Sequence, residues 1–412
     1  MTETGSADRV AAGFADMWSD LAPVGRDGQS GGYRRFAWSD ADHELREWFA
    51  DQAARRWLDL TEDRVGNQWA WWGDPDAAVA AGRPGIVTGS HLDSVPDGGA
   101  FDGPLGIVSA FAALDLLRAN DIAPNRPIGI ANFVDEEGAR FGVALAGSRL
   151  LTGIMAPERT HALTDDDGTT WADAFAATGR DGAAIGADPE TVRRIGTYLE
   201  LHVEQGKALA HLDAPVAIGT DIWPHGRWRI DLPGEANHAG TTTMADRHDA
   251  MLTLAGVVQA ARTAALTRGC VATIGKVRLT PGGVNAIPSH ATAWLDARGA
   301  DPDAVRSVVA DLAALAATTG GEVTEESWTP VTPFTPALVS RLHEVLGGLP
   351  LLGTGAGHDA GVLAQAGIPS AMLFVRNPTG VSHSPAEWAD QADCLAGVTA
   401  LATALTDLSQ EA

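Results

Sequence analysis

The sequence predicts an α/β protein in which an α+β domain of ferredoxin-like type is inserted into a main domain built on a doubly wound mixed sheet. Three observations carry this. Strand and helix signals alternate between Ile86 and Val134, the pattern of a sheet with crossover helices. The order β-α-β-β-α-β can be read between Trp228 and Trp328, which is a split βαβ sandwich. At 412 residues the chain is also long for one domain and natural for two.

In chain order, Val10, Phe14, Met17 and Leu21 recur at helical spacing, so the chain opens with a helix. A second helix is expected from Ser39, a side chain able to cap it, to Leu58. A hairpin around Arg64 to Trp72, turning at Gly66-Asn67, comes next. Ile86 to Gly89 reads as a short strand, Gly106 to Asn120 as a helix with Ile107, Phe111, Leu114 and Leu117 on one face, and Ile128 to Val134 as a buried strand. The acidic, Gly- and Ala-rich stretch from Asp165 to Asp188 lacks periodicity and is expected to be surface loop with one short helix. Beyond it the expected insertion spans 213–329. Strands are expected near Trp228–Leu232, Val271–Leu279, Ala291–Arg298 and Glu322–Trp328, with helices over 246–266 and 302–318. Residues 1–212 and 330–412 then form the main domain.

The formal charge is 29 − 53 = −24, which disfavours nucleic acid or an anionic membrane as a partner. An acidic surface does not steer anions inward, so an anionic ligand would need a few local arginines. Cys270 and Cys394 lie far apart with no CxxC spacing, which argues against a disulfide framework or a thiolate metal site. The first residues lack a basic segment followed by an apolar core, and no apolar run is read as long enough for a membrane span. A reducing, cytoplasmic setting is expected.

Chemistry concentrates in a few short segments. His91, Asp102, Glu136, Glu137, His202 and His383 all stand in charged, glycine-flanked settings. Together they supply the bridging carboxylate and the further carboxylate and imidazole ligands that two cations about 3.5–4 Å apart require. His91 follows the strand-like Val-Thr-Gly-Ser, and Glu136-Glu137 follows the apolar run from Ile128 to Val134. In an open α/β sheet, residues just past the carboxyl ends of strands line the ligand crevice.

The segments Gly-Ser-His91-Leu-Asp93-Ser-Val, Gly-Ala-Phe-Asp102-Gly, Asp135-Glu136-Glu137-Gly-Ala-Arg-Phe-Gly, Glu200-Leu-His202-Val-Glu204-Gln205-Gly, Asn237-His238-Ala-Gly-Thr-Thr, Gly283-Val-Asn285-Ala-Ile-Pro and Ser382-His383-Ser-Pro-Ala-Glu387 resemble those of the hydantoinase/carbamoylase amidases of the M20 metallopeptidase family. That group includes allantoate amidohydrolase, N-carbamoyl-L-amino-acid hydrolase and β-ureidopropionase. The resemblance implies that His91, Asp102 and His202 hold one divalent metal ion and Asp102, Glu137 and His383 a second. Imidazoles mixed with carboxylates suit Zn, Mn, Co or Ni. Asp93 is then the carboxylate that fixes the His91 tautomer. Glu136 is the general base and acid, taking a proton from the attacking water and returning it to the departing nitrogen. A competing role for Glu136 is burial against Arg140. His238 is expected to donate to the developing oxyanion, Asn285 to offer an amide, Arg298 to clamp a substrate carboxylate, and Gln205 to contact the ureido end. Capping or salt bridging is the alternative for His238, Asn285 and Arg298. The resemblance further implies a homodimer formed through the inserted domain, with His238 and Asn285 acting across to the partner's metals.

Three positions depart from the family pattern. Thr243 replaces a usual proline, Trp223-Pro-His225 replaces small residues, and Arg376-Asn377-Pro378-Thr379 replaces a Pro-Ser stretch before His383. The expected activity is metal-dependent cleavage of the ureido group of a small acid, releasing ammonia and carbon dioxide. His225 and Arg376 incline the substrate choice to allantoate, with its two ureido arms, over an N-carbamoyl-L-amino acid or β-ureidopropionate. An M20 exopeptidase or deacylase is disfavoured, because those relatives usually carry a carboxylate where His202 stands. A non-catalytic binding protein is disfavoured because no ligand or base is missing.

Overall fold

The computed structural model describes residues 3–410. The chain divides into two compact units: the first holds the chain up to Thr220, then Pro333–Leu352 and the chain from Gly357 on, and the second holds Asp221–Thr332 with Gly353–Ala356. The insertion thus begins later than residue 213, because Val216–Ile222 is a strand of the large sheet, antiparallel to Ser370–Val375.

The first unit is built on a nine-stranded mixed sheet. In spatial order its main strands are Asp59–Glu62, Gln68–Trp72, Ile128–Phe133, Gly85–His91, Ile195–Val203, Ser370–Val375 and Val216–Ile222. The middle four of Ile128–Phe133, Gly85–His91, Ile195–Val203 and Ser370–Val375 run parallel. Each is buried along nearly its whole length, as parallel strands covered on both faces must be. The chain leaves Gly85–His91 for Ile128–Phe133 on one side and later takes up Ile195–Val203 on the other. This reversal opens a crevice at the carboxyl end of the central strand.

Helices cover both faces. Leu201 packs against Gly397 of the helix Gln391–Ser409, whereas Glu200, one residue earlier and so directed to the opposite face, accepts a hydrogen bond from Ala360 N of the helix Asp359–Gln365. The helix Pro104–Ala119 is buried through Pro104–Leu114 and again at Leu117, because it lies between the sheet and the helices Glu3–Leu21 and Gln391–Ser409. Gly106 makes this approach possible, since a Cβ there would fall 2.7 Å from Ser90 Cβ.

Several local expectations need correction. Ser39 does cap the second helix, accepting from Asp42 N, but that helix spans Asp40–Arg55 and stops short of Leu58, with Trp57 in the left-handed region at φ 53°. The hairpin pairs Asp59–Glu62 with Gln68–Trp72, so its first strand precedes Arg64. The stretch 165–188 is not merely surface: its helix Trp171–Ala177 buries Trp171 and Phe175, which pack against Trp38.

The second unit carries a four-stranded antiparallel sheet in the spatial order Glu322–Thr329, His225–Pro233, His290–Arg298, Val271–Thr280. Numbered along the insertion this is 4-1-3-2, the arrangement of a split βαβ sandwich. The helices Ala250–Arg268 and Pro302–Ala317 cover one face through Leu254, Val257, Val305, Val308 and Leu312 against Trp228, Ile230, Ala293 and Leu295. Ala250–Arg268 is, by length and composition, apolar enough to cross a membrane, contrary to the reading that no run reaches that length. Here it closes the core of the sandwich.

Candidate metal centre

The four parallel strands deliver the candidate ligands to one end of the sheet. His91 closes Gly85–His91, His202 lies near the end of Ile195–Val203, Glu136 and Glu137 follow Ile128–Phe133, and His383 follows Ser370–Val375. Asp102 enters on the loop before Pro104–Ala119. Its two oxygens face different partners. Oδ1 is 3.1 Å from His202 Nε2 and 3.6 Å from His91 Nε2. Oδ2 is 3.4 Å from His383 Nε2, which is in turn 3.7 Å from Glu137 Oε2. His91, Asp102 and His202 therefore form one cluster and Asp102, Glu137 and His383 another, sharing one carboxylate.

The donors fit metal ions better than hydrogen bonding. His91 Nε2, His202 Nε2 and Glu137 Oε1 are buried without a hydrogen-bond partner, an arrangement that is costly unless something else satisfies them. Two ligands each about 2.0–2.1 Å from an ion in tetrahedral array stand roughly 3.3 Å apart, and the separations above lie around that value. The opposite edges of the rings are fixed: His202 Nδ1 meets Val203 O at 2.8 Å and His91 Nδ1 meets Asp93 O at 3.1 Å. A proton on each Nδ1 leaves Nε2 free to ligate. The Asp93 carboxylate, at 3.4 Å from His91 Nδ1, is second to its own carbonyl in that role.

Asp93 instead clamps the acidic pair, its Oδ1 accepting from Glu136 N at 3.2 Å and its Oδ2 from Glu137 N at 3.0 Å. The pair does not lie on an extended segment. Asp135 adopts φ 54°, a left-handed conformation that aspartate tolerates better than most residues, and its Oδ2 accepts from Trp171 Nε1 at 2.9 Å. The turn sends Glu137 to the second cluster and leaves Glu136 Oε2 3.7 Å from His91 Nε2. Arg140 does not hold Glu136; it binds Asp165 Oδ2 and Ala37 O.

Electrostatically the crevice is an excess of buried carboxylate. Burial, with neighbouring Glu137, pushes Glu136 well above the ordinary glutamate range despite His91. Burial and Asp102 raise Glu137 to about 7. Burial opposes charge on His91, but Glu136, Asp102 and Asp93 outweigh it and lift its pKa well above normal. Divalent cations bound here would neutralise that charge and reverse these tendencies.

Four buried groups at this end of the sheet have a place that the sequence reading did not assign. His358 stacks edge-on to His202 with ring centroids 4.5 Å apart, and burial beside His202 holds it well below the usual histidine range, hence neutral. Glu200 accepts from Ser90 Oγ and Ala360 N. Asp359 accepts from Ser148 Oγ, and burial beside Glu200 raises it to about 8. Glu387 accepts from Phe101 N and Asp102 N, and burial beside Asp102 raises it to about 7. Glu200 and Glu387 stand in segments quoted above but were given no role there, and His358 and Asp359 stand in no segment singled out from the sequence.

The expected substrate contacts fall out differently. Gln205 Nε2 donates to Asp102 Oδ2 at 2.8 Å, so it braces the shared ligand. Arg376 binds Asp393 through Nε and Nη2 and Asp213 through Nη1, which removes the cation on which the two-arm preference leaned. In the second unit, His225 Nδ1 meets Trp223 O. His238 and Asn285 are brought together by a two-residue ladder in which His238 pairs with Ala286 and Ala239 N donates to Asn285 O. His238 Nδ1 accepts from Gly240 N at 3.0 Å, so in the neutral ring Nε2 carries the proton. Arg298 binds Asp296 with Nε and Nη2 at 2.7 and 3.0 Å and Gly355 O with Nη1 at 2.8 Å.

A doubly wound sheet with two overlapping clusters of histidine and carboxylate, and a buried glutamate beside them, defines a metal-dependent hydrolase. The model of peptidase family M20/M25/M40 matches residues 87–407. The N-carbamoyl-L-amino acid amidohydrolase of Geobacillus stearothermophilus is 33% identical over 412 aligned residues, covering 96% of this chain and 98% of that one. The allantoate amidohydrolase of Escherichia coli K12 is 30% identical, with 94% and 96% covered. The crystal structure of a hydantoinase/carbamoylase family amidase from Burkholderia multivorans superposes with a TM-score of 0.85 at 28% identity, covering 97% of this chain and 98% of that one. The chain belongs to peptidase family M20/M25/M40 and, within it, to the hydantoinase/carbamoylase amidases.

The Trp171–Asp135 contact yields a prediction. Trp171→Phe removes the Nε1–H that donates to the buried Asp135 carboxyl and should cost about 1–3 kcal/mol in urea unfolding, with a fall in turnover because the glutamate turn loosens. Unchanged stability and turnover would show that Trp171 merely fills space.

Proposed function

We propose that the protein hydrolyses the ureido group of a small N-carbamoyl acid, with an N-carbamoyl-L-amino acid as the first candidate. The observation that carries the reading is the Asp102 carboxylate divided between two ligand clusters, with Glu136 buried alongside. The choice among ureido acids is supported by the Geobacillus relative and by the ion pairs that occupy Arg376. Allantoate is the second reading, favoured by the Escherichia coli relative.

His91, Asp102 and His202 would hold one divalent ion, and Asp102, Glu137 and His383 the other; Zn, Mn, Co and Ni all suit this donor set. Such ions, when bound, act as Lewis acids and make water acidic enough to attack at neutral pH. Glu136 takes a proton from the attacking water and passes it to the departing nitrogen. His238 donates its Nε2 proton to the oxyanion and Asn285, its neighbour across the ladder, adds an amide. Three of the five guanidinium N–H groups of Arg298 are engaged by Asp296 and Gly355. The remaining two receive the substrate carboxylate.

Dimerisation through the inserted unit is part of the proposal. Val271–Thr280 is an edge strand of its sheet, and Met251, Leu252, Val258 and Leu266 are exposed on the helix Ala250–Arg268. An uncovered edge beside apolar side chains favours pairing with a second copy.

Glu136→Gln should retain metal yet lose on the order of 10²-fold or more in kcat, whereas His383→Ala should lower metal content measured by elemental analysis. Wild-type rates in both variants would overturn the site. Ammonia release from N-carbamoyl-L-amino acids, allantoate and β-ureidopropionate, with the free amino groups freed from dipeptides measured alongside, tests the substrate class, and dipeptide cleavage alone would reject it. Arg298→Ala should raise KM for free acids by the equivalent of about 1.5–3 kcal/mol and much less for the corresponding amides; equal losses would refute the clamp. If His238 acts across a dimer, mixing Glu136→Gln with His238→Ala subunits should restore activity, since one site regains a complete set. No recovery despite proven exchange places His238 in its own subunit's site or outside the reaction.

A further inference from the structure

Glu387 is a buried carboxylate to which the reaction above gives no part. It closes the turn that begins with His383: its N–H donates to Ser384 O at 3.0 Å, and His383 enters the turn at φ 55°. Glu387 Oε1 then accepts two consecutive backbone donors from a loop remote in sequence, Phe101 N at 2.8 Å and Asp102 N at 2.9 Å. Gly99 lies directly against it. A Cβ at Gly99 would stand 2.5 Å from Glu387 Cβ and 2.6 Å from Glu387 Cδ, far inside contact distance, so a side chain there would force Glu387 away from both donors.

We infer that Glu387, seated against Gly99, is a positioning residue that clasps the Phe101–Asp102 backbone and thereby aims the Asp102 carboxylate between the two ligand clusters. A carboxylate that serves both clusters tolerates little rotation, and on a stem as short as aspartate's its direction is set by the backbone that carries it. The clasp fixes that backbone by hydrogen bonds that would otherwise leave two buried donors unmet, at a cost typical of unsatisfied groups. His383 and Glu387 sit on the same turn, so the element that delivers a ligand to the second cluster also sets the ligand shared with the first. The consequence for metal rests on the proposed function, while the clasp itself is a contact within the protein.

The test compares Glu387→Ala, Glu387→Gln and Gly99→Ala with the unmodified protein. In metal-free samples, hydrogen exchange resolved to the segment containing Phe101 and Asp102 should quicken in Glu387→Ala and Gly99→Ala but not in Glu387→Gln, whose amide oxygen still accepts both N–H groups. Calorimetric titration with Zn²⁺ should show about 10–100-fold weaker binding in the first two variants and near-normal binding in Glu387→Gln. Unchanged exchange in Glu387→Ala, unchanged Zn²⁺ affinity, or a Glu387→Gln variant as impaired as Glu387→Ala would each overturn the inference. If the unmodified protein bound no Zn²⁺, the metal-dependent function would fail, and the exchange measurement would still decide whether the clasp exists.

Discussion

The site depends on one carboxylate facing two ways. Asp102 Oδ1 looks toward His91 and His202, and Oδ2 toward His383, Gln205 and Ser382. No regular element holds this residue. It lies on a loop where backbone and side chain must be fixed by contacts from distant segments, and they are. Glu387 takes its N–H and that of Phe101, Gln205 braces one oxygen, and the glycines on either side remove the side chains that would obstruct. At Gly103, in the left-handed region at φ 83°, a Cβ would run into the His91 ring.

The second constraint is the concentration of buried acid. Asp93, Asp102, Asp135, Glu136, Glu200, Asp359 and Glu387 are all buried at this end of the sheet, an arrangement unfavourable for an apolar crevice without compensating cations. The structure answers in two ways. Some carboxylates collect backbone or hydroxyl donors: Asp93 from Glu136 and Glu137, Glu200 from Ala360 and Ser90, Asp359 from Ser148. Others are left facing unpartnered imidazole nitrogens, and there bound divalent cations would supply the balance. The same concentration of charge would give the crevice its affinity for divalent cations.

The inserted unit solves a different problem. Its sheet places Asp296 and Arg298 on the same face, two residues apart along one strand, so the carboxylate braces the guanidinium without closing all of its donors. The short ladder outside the sheet couples the His238 and Asn285 loops, and Gly240 sets the histidine tautomer. Small backbone and side-chain contacts thus fix the directions of these groups within the unit.

Much of this was legible in the chain before folding. The periodicity and the order of elements define both sheets, because burial on two faces leaves apolar runs and a split βαβ unit leaves its own signature. The ligand types at His91, Asp102, Glu137, His202 and His383 announce metal chemistry because few other roles need imidazole and carboxylate beside glycine at strand ends. What only the tertiary structure decided is which groups are already spoken for. Arg376 is absorbed by Asp393 and Asp213, Gln205 by Asp102, and Asp93 by the Glu136-Glu137 backbone; Trp171, in a stretch read as surface, holds Asp135. Glu387 and the Asp102 backbone lie 285 residues apart and meet only because parallel strands bring their carboxyl ends together. A sequence specifies donors and acceptors, but their pairing is settled by distance, and distance exists only once the sheet has formed.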